Sequence, residues 1–360
     1  MEKIRYAIVG TGWRALFFVR AAKNLPELFE VTGVLTRTKE RAQAFEKEYG
    51  VRTFTDMDEM LKTQPEFVVS CVTKAAIERT TLALIERGVN VLSETPIATD
   101  EEGLVRVYEA VKRKGVVLQL AEQYFLYPNH AARAALVKKG VLGEVSSCYL
   151  SLIHDYHALS MMRVYLGADD RQATFRAVSD RRDIVVTGDR SGVRTDGEIG
   201  YEERVFAHIA YGDGKLGLYD FSGTQYHSEI RSNHLRIIGE RGEIFDDEVR
   251  WVPEDNRPMK AKLEYRRDVK TGTIRAIDFD GERIYENPFR CDVAMSEDDI
   301  AVSCVIRGMG KAVREGKLFY PLNECFRDGY YSYLLHEATR TGETMRAKAM
   351  PWDAQEETTI

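Results

Sequence analysis

The sequence predicts an α/β chain in two parts: an amino-terminal doubly wound parallel sheet, then an α+β part built on a large, open, mostly antiparallel sheet. Three observations carry that prediction. Short apolar runs alternate with amphipathic stretches over residues 1–122, a glycine turn follows the first run, and after residue 143 short alternating segments separated by Gly, Asp and Asn take over. At 360 residues, with 44% hydrophobic and 30% charged residues, the chain can fill more than one core. These shifts divide it into residues 1–122, residues 123–345 and a carboxyl-terminal tail, 346–360.

In the first part the strand candidates are Tyr6–Val9, Val31–Leu35, Phe67–Val72, Val89–Leu92 and Val116–Leu120. Helix-like sequence follows each of the first four, and Thr99 with Glu102 three residues on fits a capping box. In the second part Val145–Ile153, Val205–Tyr211, Leu216–Phe221, Leu235–Gly239 and Lys262–Arg267 read as strands, and the glycine- and charge-rich Thr187–Gly200 as a long loop. Helical periodicity returns from Glu297 to about Thr341, with Ile300, Cys304, Val305 and Met309 on one side, and the chain past Asp353 is expected to fray.

With 51 basic against 57 acidic residues the formal charge is −6, the wrong sign for a dedicated nucleic-acid binder. No apolar run is long enough to span a membrane, so a cytoplasmic protein with neither nucleic acid nor membrane as partner is expected. Five cysteines without a CxxC suit buried, reduced thiols, and no metal is expected.

Directly after the first strand stands Gly10-Thr11-Gly12-Trp13-Arg14-Ala15. Small residues at such a strand-to-helix turn let backbone amides approach a pyrophosphate, whose charge then lies at the positive end of the next helix. The context is that of a Rossmann dinucleotide site, so Gly10, Thr11, Gly12, Trp13 and Arg14 are assigned to cofactor binding. The second strand ends Leu35-Thr36-Arg37-Thr38-Lys39, with no carboxylate for the adenosine ribose. Thr36 and Arg37 suit a 2′-phosphate, which makes NADP at least as good a cofactor as NAD. Thr73 and Gln123 are assigned to the same surface.

Several segments together resemble the Gfo/Idh/MocA family of NAD(P)-dependent oxidoreductases of sugars, cyclitols and their derivatives. They are Gly10-Thr11-Gly12, the stretch from Gly88 to Pro96, Gly140–Val145, His157 with Met162–Gly167, and Leu235–Glu243. The resemblance places Glu94, Thr95 and Pro96 at the cofactor and His157 at the acid/base position. It also exposes departures. Thr95 stands where the family carries a lysine near the nicotinamide and the substrate hydroxyl, and Ile153 and Ser160 stand where it carries aspartates.

What the chain offers instead is His154-Asp155-Tyr156-His157, titratable groups at a strand-to-helix junction. Histidine can take a hydroxyl proton near neutral pH, Asp155 can orient an imidazole and Tyr156 can donate to a carbonyl oxygen. The bland reading is that the histidines cap the helix and the tyrosine is core. Tyr124 and Tyr127, after the last parallel strand, are candidates for binding a sugar-like substrate. So are His227 and Arg231 if Tyr226–Arg231 is a strand that turns them toward the cofactor. His154, Asp155, His157 and His227 as a metal set is the weaker reading.

The expected activity is hydride transfer between NAD(P) and a secondary hydroxyl or ketone of a sugar, cyclitol or derivative. Two readings differ in kind: a redox-neutral enzyme that cleaves or epimerises after transient oxidation, and a non-catalytic nucleotide sensor. The open sheet implies a homodimer or homotetramer.

Overall fold

The computed structural model describes residues 2–168 and 171–354. Its first part comprises β1 (Ile4–Val9), α1 (Ala15–Asn24), β2 (Phe29–Leu35), α2 (Lys39–Tyr49), β3 (Thr53–Phe54), α3 (Met57–Leu61), β4 (Phe67–Ser70), α4 (Lys74–Glu86), β5 (Val91–Ser93), α5 (Glu101–Lys114) and β6 (Leu118–Leu120). The six strands pair in parallel in the order β3-β2-β1-β4-β5-β6. That is the Rossmann order, with its switch point between β1 and β4. Helix α5 starts one residue later than the sequence suggests. Asp100, not Thr99, is the N-cap and accepts the Gly103 amide at 2.8 Å.

The second part continues with α6 (Pro128–Lys138), β7 (Val145–Ser151), α7 (Asp155–Leu166), β8 (Thr174–Val185), β9 (Gly188–Asp189), β10 (Gly192–Val193), β11 (Ile199–Ala210), β12 (Leu216–Ser222), β13 (His234–Gly239), β14 (Gly242–Phe245), β15 (Glu248–Trp251), β16 (Met259–Lys262), β17 (Glu264–Arg267), β18 (Ile274–Phe279), β19 (Glu282–Glu286), α8 (Glu297–Glu315), α9 (Leu322–Thr341) and β20 (Met345–Arg346). Nine strands form the open sheet, β16-β15-β14-β13-β7-β12-β11-β8-β20, antiparallel except where β7 meets β12. Among the described residues no helix is long and apolar enough to cross a membrane.

Three expectations change here. Lys262–Arg267 is not one strand: β16 ends at Lys262, and β17 belongs to a separate three-stranded sheet. The Thr187–Gly200 loop holds a small hairpin, β9–β10, and contributes the start of β11, because Val185 and Ile199 are already paired. Tyr226–Arg231 is not a strand. Ser222 and Gln225 cap a short 3-10 helix, Gly223–Tyr226, and a turn follows.

Helix α8 opens on a Ser296/Asp299 capping box and buries Ile300, Val302, Val305, Ile306 and Met309 in one core with Ile4, Tyr6, Ile8 and Phe18. A helix from the later sequence thus covers a face of the first sheet. The residues after 345 begin inside the fold: Arg346 pairs with Thr174, and Trp352 is buried against Tyr108, Phe326 and Tyr330. The expected fraying past Asp353 otherwise falls on residues 355–360, outside the described residues.

Candidate active site

The turn after β1 is shaped by two glycines with different reasons. Gly10 has φ +116°, and a Cβ there would lie 2.1 Å from the Cys71 carbonyl oxygen, so the backbone just past β4 blocks any side chain. A Cβ on Gly12 would meet no protein atom within 4 Å, leaving a cradle open to a ligand. Thr11 borders it, and α1 starts with no acid in its first turn, so its positive end is uncompensated. Thr36, at the end of β2, buries a hydroxyl with no hydrogen-bond partner, and Arg37 beside it is exposed. Gln123 buries an unpartnered Oε1. Open cradle, bare helix end and unpaired hydroxyl fit a dinucleotide. Trp13 is exposed beside the turn, with Arg190 of the β9–β10 hairpin 5.5 Å from its ring, and Thr73 is exposed at the head of α4.

His157, in the first turn of α7, is buried, and its Nδ1 lies 2.5 Å from Oε2 of Glu122, just past β6. The other Glu122 oxygen accepts the Tyr124 amide at 2.9 Å. With Nδ1 engaged, Nε2 faces Thr95, whose hydroxyl is 3.4 Å away next to the cis Thr95–Pro96 peptide. Burial pushes the Glu122 carboxyl up to about 8, partly offset by the Tyr124 amide, and drives the His157 imidazole down to about 4. Near neutral pH the two therefore form a dyad without net charge. Glu94, Arg14, Asp155, Asp298 and His154 are the charged or titratable groups around it.

Arg14 does not lie along the phosphate cradle. Its Nε donates to Glu94 at 2.9 Å and its Nη1 to Asp298 of α8 at 3.2 Å, joining the two parts of the chain across the site. Tyr127 donates its hydroxyl to Asp298 and stacks on Tyr124, ring centres 5.1 Å apart, and Tyr124 in turn lies 4.5 Å from the His157 ring.

The rest of the histidine cluster divides. His154, the N-cap of α7, sits against His157 with ring centres at 4.7 Å, and its Nδ1 is 2.6 Å from the Tyr226 hydroxyl. Burial, with His157 next to it, lowers the His154 pKa to about 4. Asp155 faces His336 of α9: burial alone would raise its carboxyl, but the His336 hydrogen bond and nearby His154 hold it below the usual carboxylate range. Tyr156 turns into the core, its hydroxyl donating to the Cys325 carbonyl at 3.1 Å, as in the bland reading. Loss of the expected strand removes the alternation that was to aim His227 and Arg231. His227 is exposed, and Arg231 is held by both carboxylate oxygens of Glu202. Among the described residues no group of three or more His, Cys, Asp or Glu is arranged to hold a metal ion.

A family model described as an oxidoreductase family with an NAD-binding Rossmann fold, Gfo/Idh/MocA, matches residues 4–122, the span that builds the parallel sheet. That first part of the chain therefore carries the NAD-binding Rossmann fold of the Gfo/Idh/MocA oxidoreductase family. The chain is an NAD(P)-dependent oxidoreductase. Among its relatives, the scyllo-inositol 2-dehydrogenase (NADP(+)) IolU of Bacillus subtilis is 26% identical over 276 residues, 73% of this chain and 80% of that protein. The uncharacterized oxidoreductase YgjR of Escherichia coli is 27% identical over 67% of this chain and 75% of that protein. Levoglucosan dehydrogenase, solved with NADH and L-sorbose, shares the fold over 97% of this chain and 100% of its own, with a TM-score of 0.73 at 16% identity. An Agrobacterium radiobacter oxidoreductase solved with NAD+, L-tartaric acid and magnesium aligns over 96% of this chain and 99% of its own, with a TM-score of 0.70 at 14% identity.

Within this site the groups that sequence reasoning left unassigned are Glu122, Tyr226, Asp298 and His336. Glu122 carried a signal, an acid directly after the last parallel strand, where ligands of such sheets collect. Asp298 and His336 carried none, since each reaches the site across more than 170 residues of chain from its partner, Arg14 or Asp155.

Proposed function

We propose that this chain transfers hydride between NADP and a secondary hydroxyl or ketone of a sugar or cyclitol, with His157 as the acid/base group. The observation that carries this reading is the His157 ring itself. Its Nδ1 is tied to a buried carboxyl, which leaves Nε2 free beside the Thr95 hydroxyl in the gap between the two parts of the chain.

The turn at Gly10–Gly12, the start of α1, Thr36 and Arg37 would hold the dinucleotide. When bound, its nicotinamide supplies the two-electron acceptor for the carbinol hydrogen and its bonding pair. The chain does the rest. His157 Nε2 takes the hydroxyl proton as the C–O bond becomes double, and Glu122 supports the charge that arises on the ring. Thr95 and Tyr124 border the oxygen's place, and Tyr226 fixes His154 behind it. Arg37, exposed where many such domains have an acid, favours a 2′-phosphate and hence NADP.

Val178, Phe206, Leu218 and Phe245 leave apolar side chains exposed on strands of the open sheet, which supports pairing of this face with a second copy. Sedimentation of the intact chain tests it, and a monomer at micromolar concentration would refute it. For the activity, initial rates of NADP and NAD reduction are read with scyllo-inositol, myo-inositol, levoglucosan and sorbitol. Nucleotide binding with no turnover on any polyol or ketone would refute the dehydrogenase reading, and product formed without reduced nucleotide would point to the redox-neutral one.

A further inference from the structure

Oxidising an alcohol needs more than a base: the oxygen that loses its proton becomes negative before the carbonyl forms, and a donor held beside it lowers the barrier. Thr95 brings no charge, and the His157–Glu122 dyad is itself neutral near pH 7. Lys74, whose charge reaches His154 and His336, is exposed on the first turn of α4. Arg14 is different. Its guanidinium is largely buried next to the dyad, with Nε on Glu94, Nη1 on Asp298, and Phe17 4.8 Å from its carbon. Its Nη2 is buried with no hydrogen-bond partner.

An unmet guanidinium N–H inside a site costs free energy unless a ligand accepts it. Nε and Nη1 are fixed by acids from two different parts of the chain, so the direction of Nη2 is set before any ligand arrives. Arg14 with Glu94 and Asp298 sums to one negative charge. A carboxylate or phosphate on the ligand would therefore meet net repulsion, whereas an uncharged hydroxyl or carbonyl oxygen would not. The same charge balance separates Arg14 from a phosphate-binding role, despite its place in the glycine turn.

We infer that Arg14 is a catalytic residue: Nη2 donates to the reacting oxygen of an uncharged polyol or ketone while His157 takes or returns the proton. This rests on the dehydrogenase reading above and narrows its substrate to neutral sugars and cyclitols.

The test uses the intact chain and Arg14→Met, Arg14→Lys and Arg14→Gly, with Arg14→Met/Asp298→Asn to relieve one of the two carboxylates left without their cation should the single variants fold poorly. Nucleotide affinity is read by quenching of Trp13 fluorescence, and polyol affinity by calorimetry in the presence of reduced nucleotide. The expected result is nucleotide affinity within about threefold of the parent, weaker polyol binding, and kcat lower by about 10²- to 10³-fold, the usual effect of losing one preorganised donor. Guanidinium ion added to Arg14→Gly should restore at least about tenfold of that loss, and the parent should bind a neutral polyol more tightly than the matching sugar acid. Unchanged kcat in Arg14→Met, nucleotide affinity lost with kcat kept, or tighter binding of the sugar acid would each overturn this inference while leaving the dehydrogenase reading intact. A parent chain inactive on every neutral polyol and ketone overturns both.

Discussion

Glu122→Gln isolates the charge of the dyad from its shape. The amide can still accept the Nδ1 proton of His157 through Oε1, so the ring keeps its orientation while the carboxylate is removed. For oxidation the working base is the dyad that has lost one proton, a neutral imidazole beside an ionised Glu122. Burial pushes that ionisation up to about 8, so about one-tenth of the molecules hold the active form at pH 7 and about nine-tenths at pH 9. The parent's kcat/KM for polyol oxidation is therefore expected to climb by roughly an order of magnitude between pH 7 and 9. Ketone reduction, which needs the proton in place, should fall over the same range. In Glu122→Gln the rise through pH 8 should vanish and oxidation should drop by about 10²- to 10⁴-fold, the range for losing effective acid/base assistance. The assay is initial-rate kinetics in both directions at saturating nucleotide. A variant that keeps the limb near pH 8, or stays within threefold of the parent at pH 9, would refute the coupling of Glu122 to the proton transfer.

His157→Ala should lower kcat by about 10²- to 10⁴-fold with nucleotide affinity nearly unchanged, and a fluorescence titration alongside the kinetics checks both halves. Gly12→Val should weaken dinucleotide binding at least about tenfold without destabilising the fold, because a side chain there points into open space; equal loss of thermal stability would place the fault in the protein instead. Arg37→Asp should cut kcat/KM for NADP by about 10- to 100-fold and spare NAD, in line with one lost charge-assisted contact to phosphate. Trp352→Ala should cost about 3–5 kcal/mol in denaturant unfolding, since the ring is fully buried against α5 and α9.

The first sheet was legible because its signals are local: an apolar run, a glycine turn and a helix occupy some twenty residues, and the pattern repeats. Strand β8 was missed for the opposite reason. Over Thr174–Val185 the central Ser179-Asp180-Arg181-Arg182-Asp183 is polar on both faces, so no alternation shows. The turn at Tyr226 misled because polar and aromatic residues alternate there without a strand, and the Ser222–Gln225 cap that decides the matter lies just upstream. In the site, His157, Tyr124 and Tyr127 could be picked out as neighbours of one cleft, but what each one touches could not. Tyr127 meets Asp298, and Arg14 leaves the glycine turn for Glu94, because acids from distant segments compete for them. An ion pair that spans 284 positions of the chain leaves no trace in any short window.

Helix α8 has a consequence for anyone recombining these proteins. A fragment ending near residue 122 would carry the glycine turn, Thr36 and Arg37 proposed to hold the nucleotide, yet leave Tyr6, Ile8 and Phe18 facing water, and it would lose the Asp298 anchor of Arg14. Grafting a foreign specificity half onto this dinucleotide module therefore demands that residues 297–315 travel with the recipient, as an inlay returned from the far end of the gene.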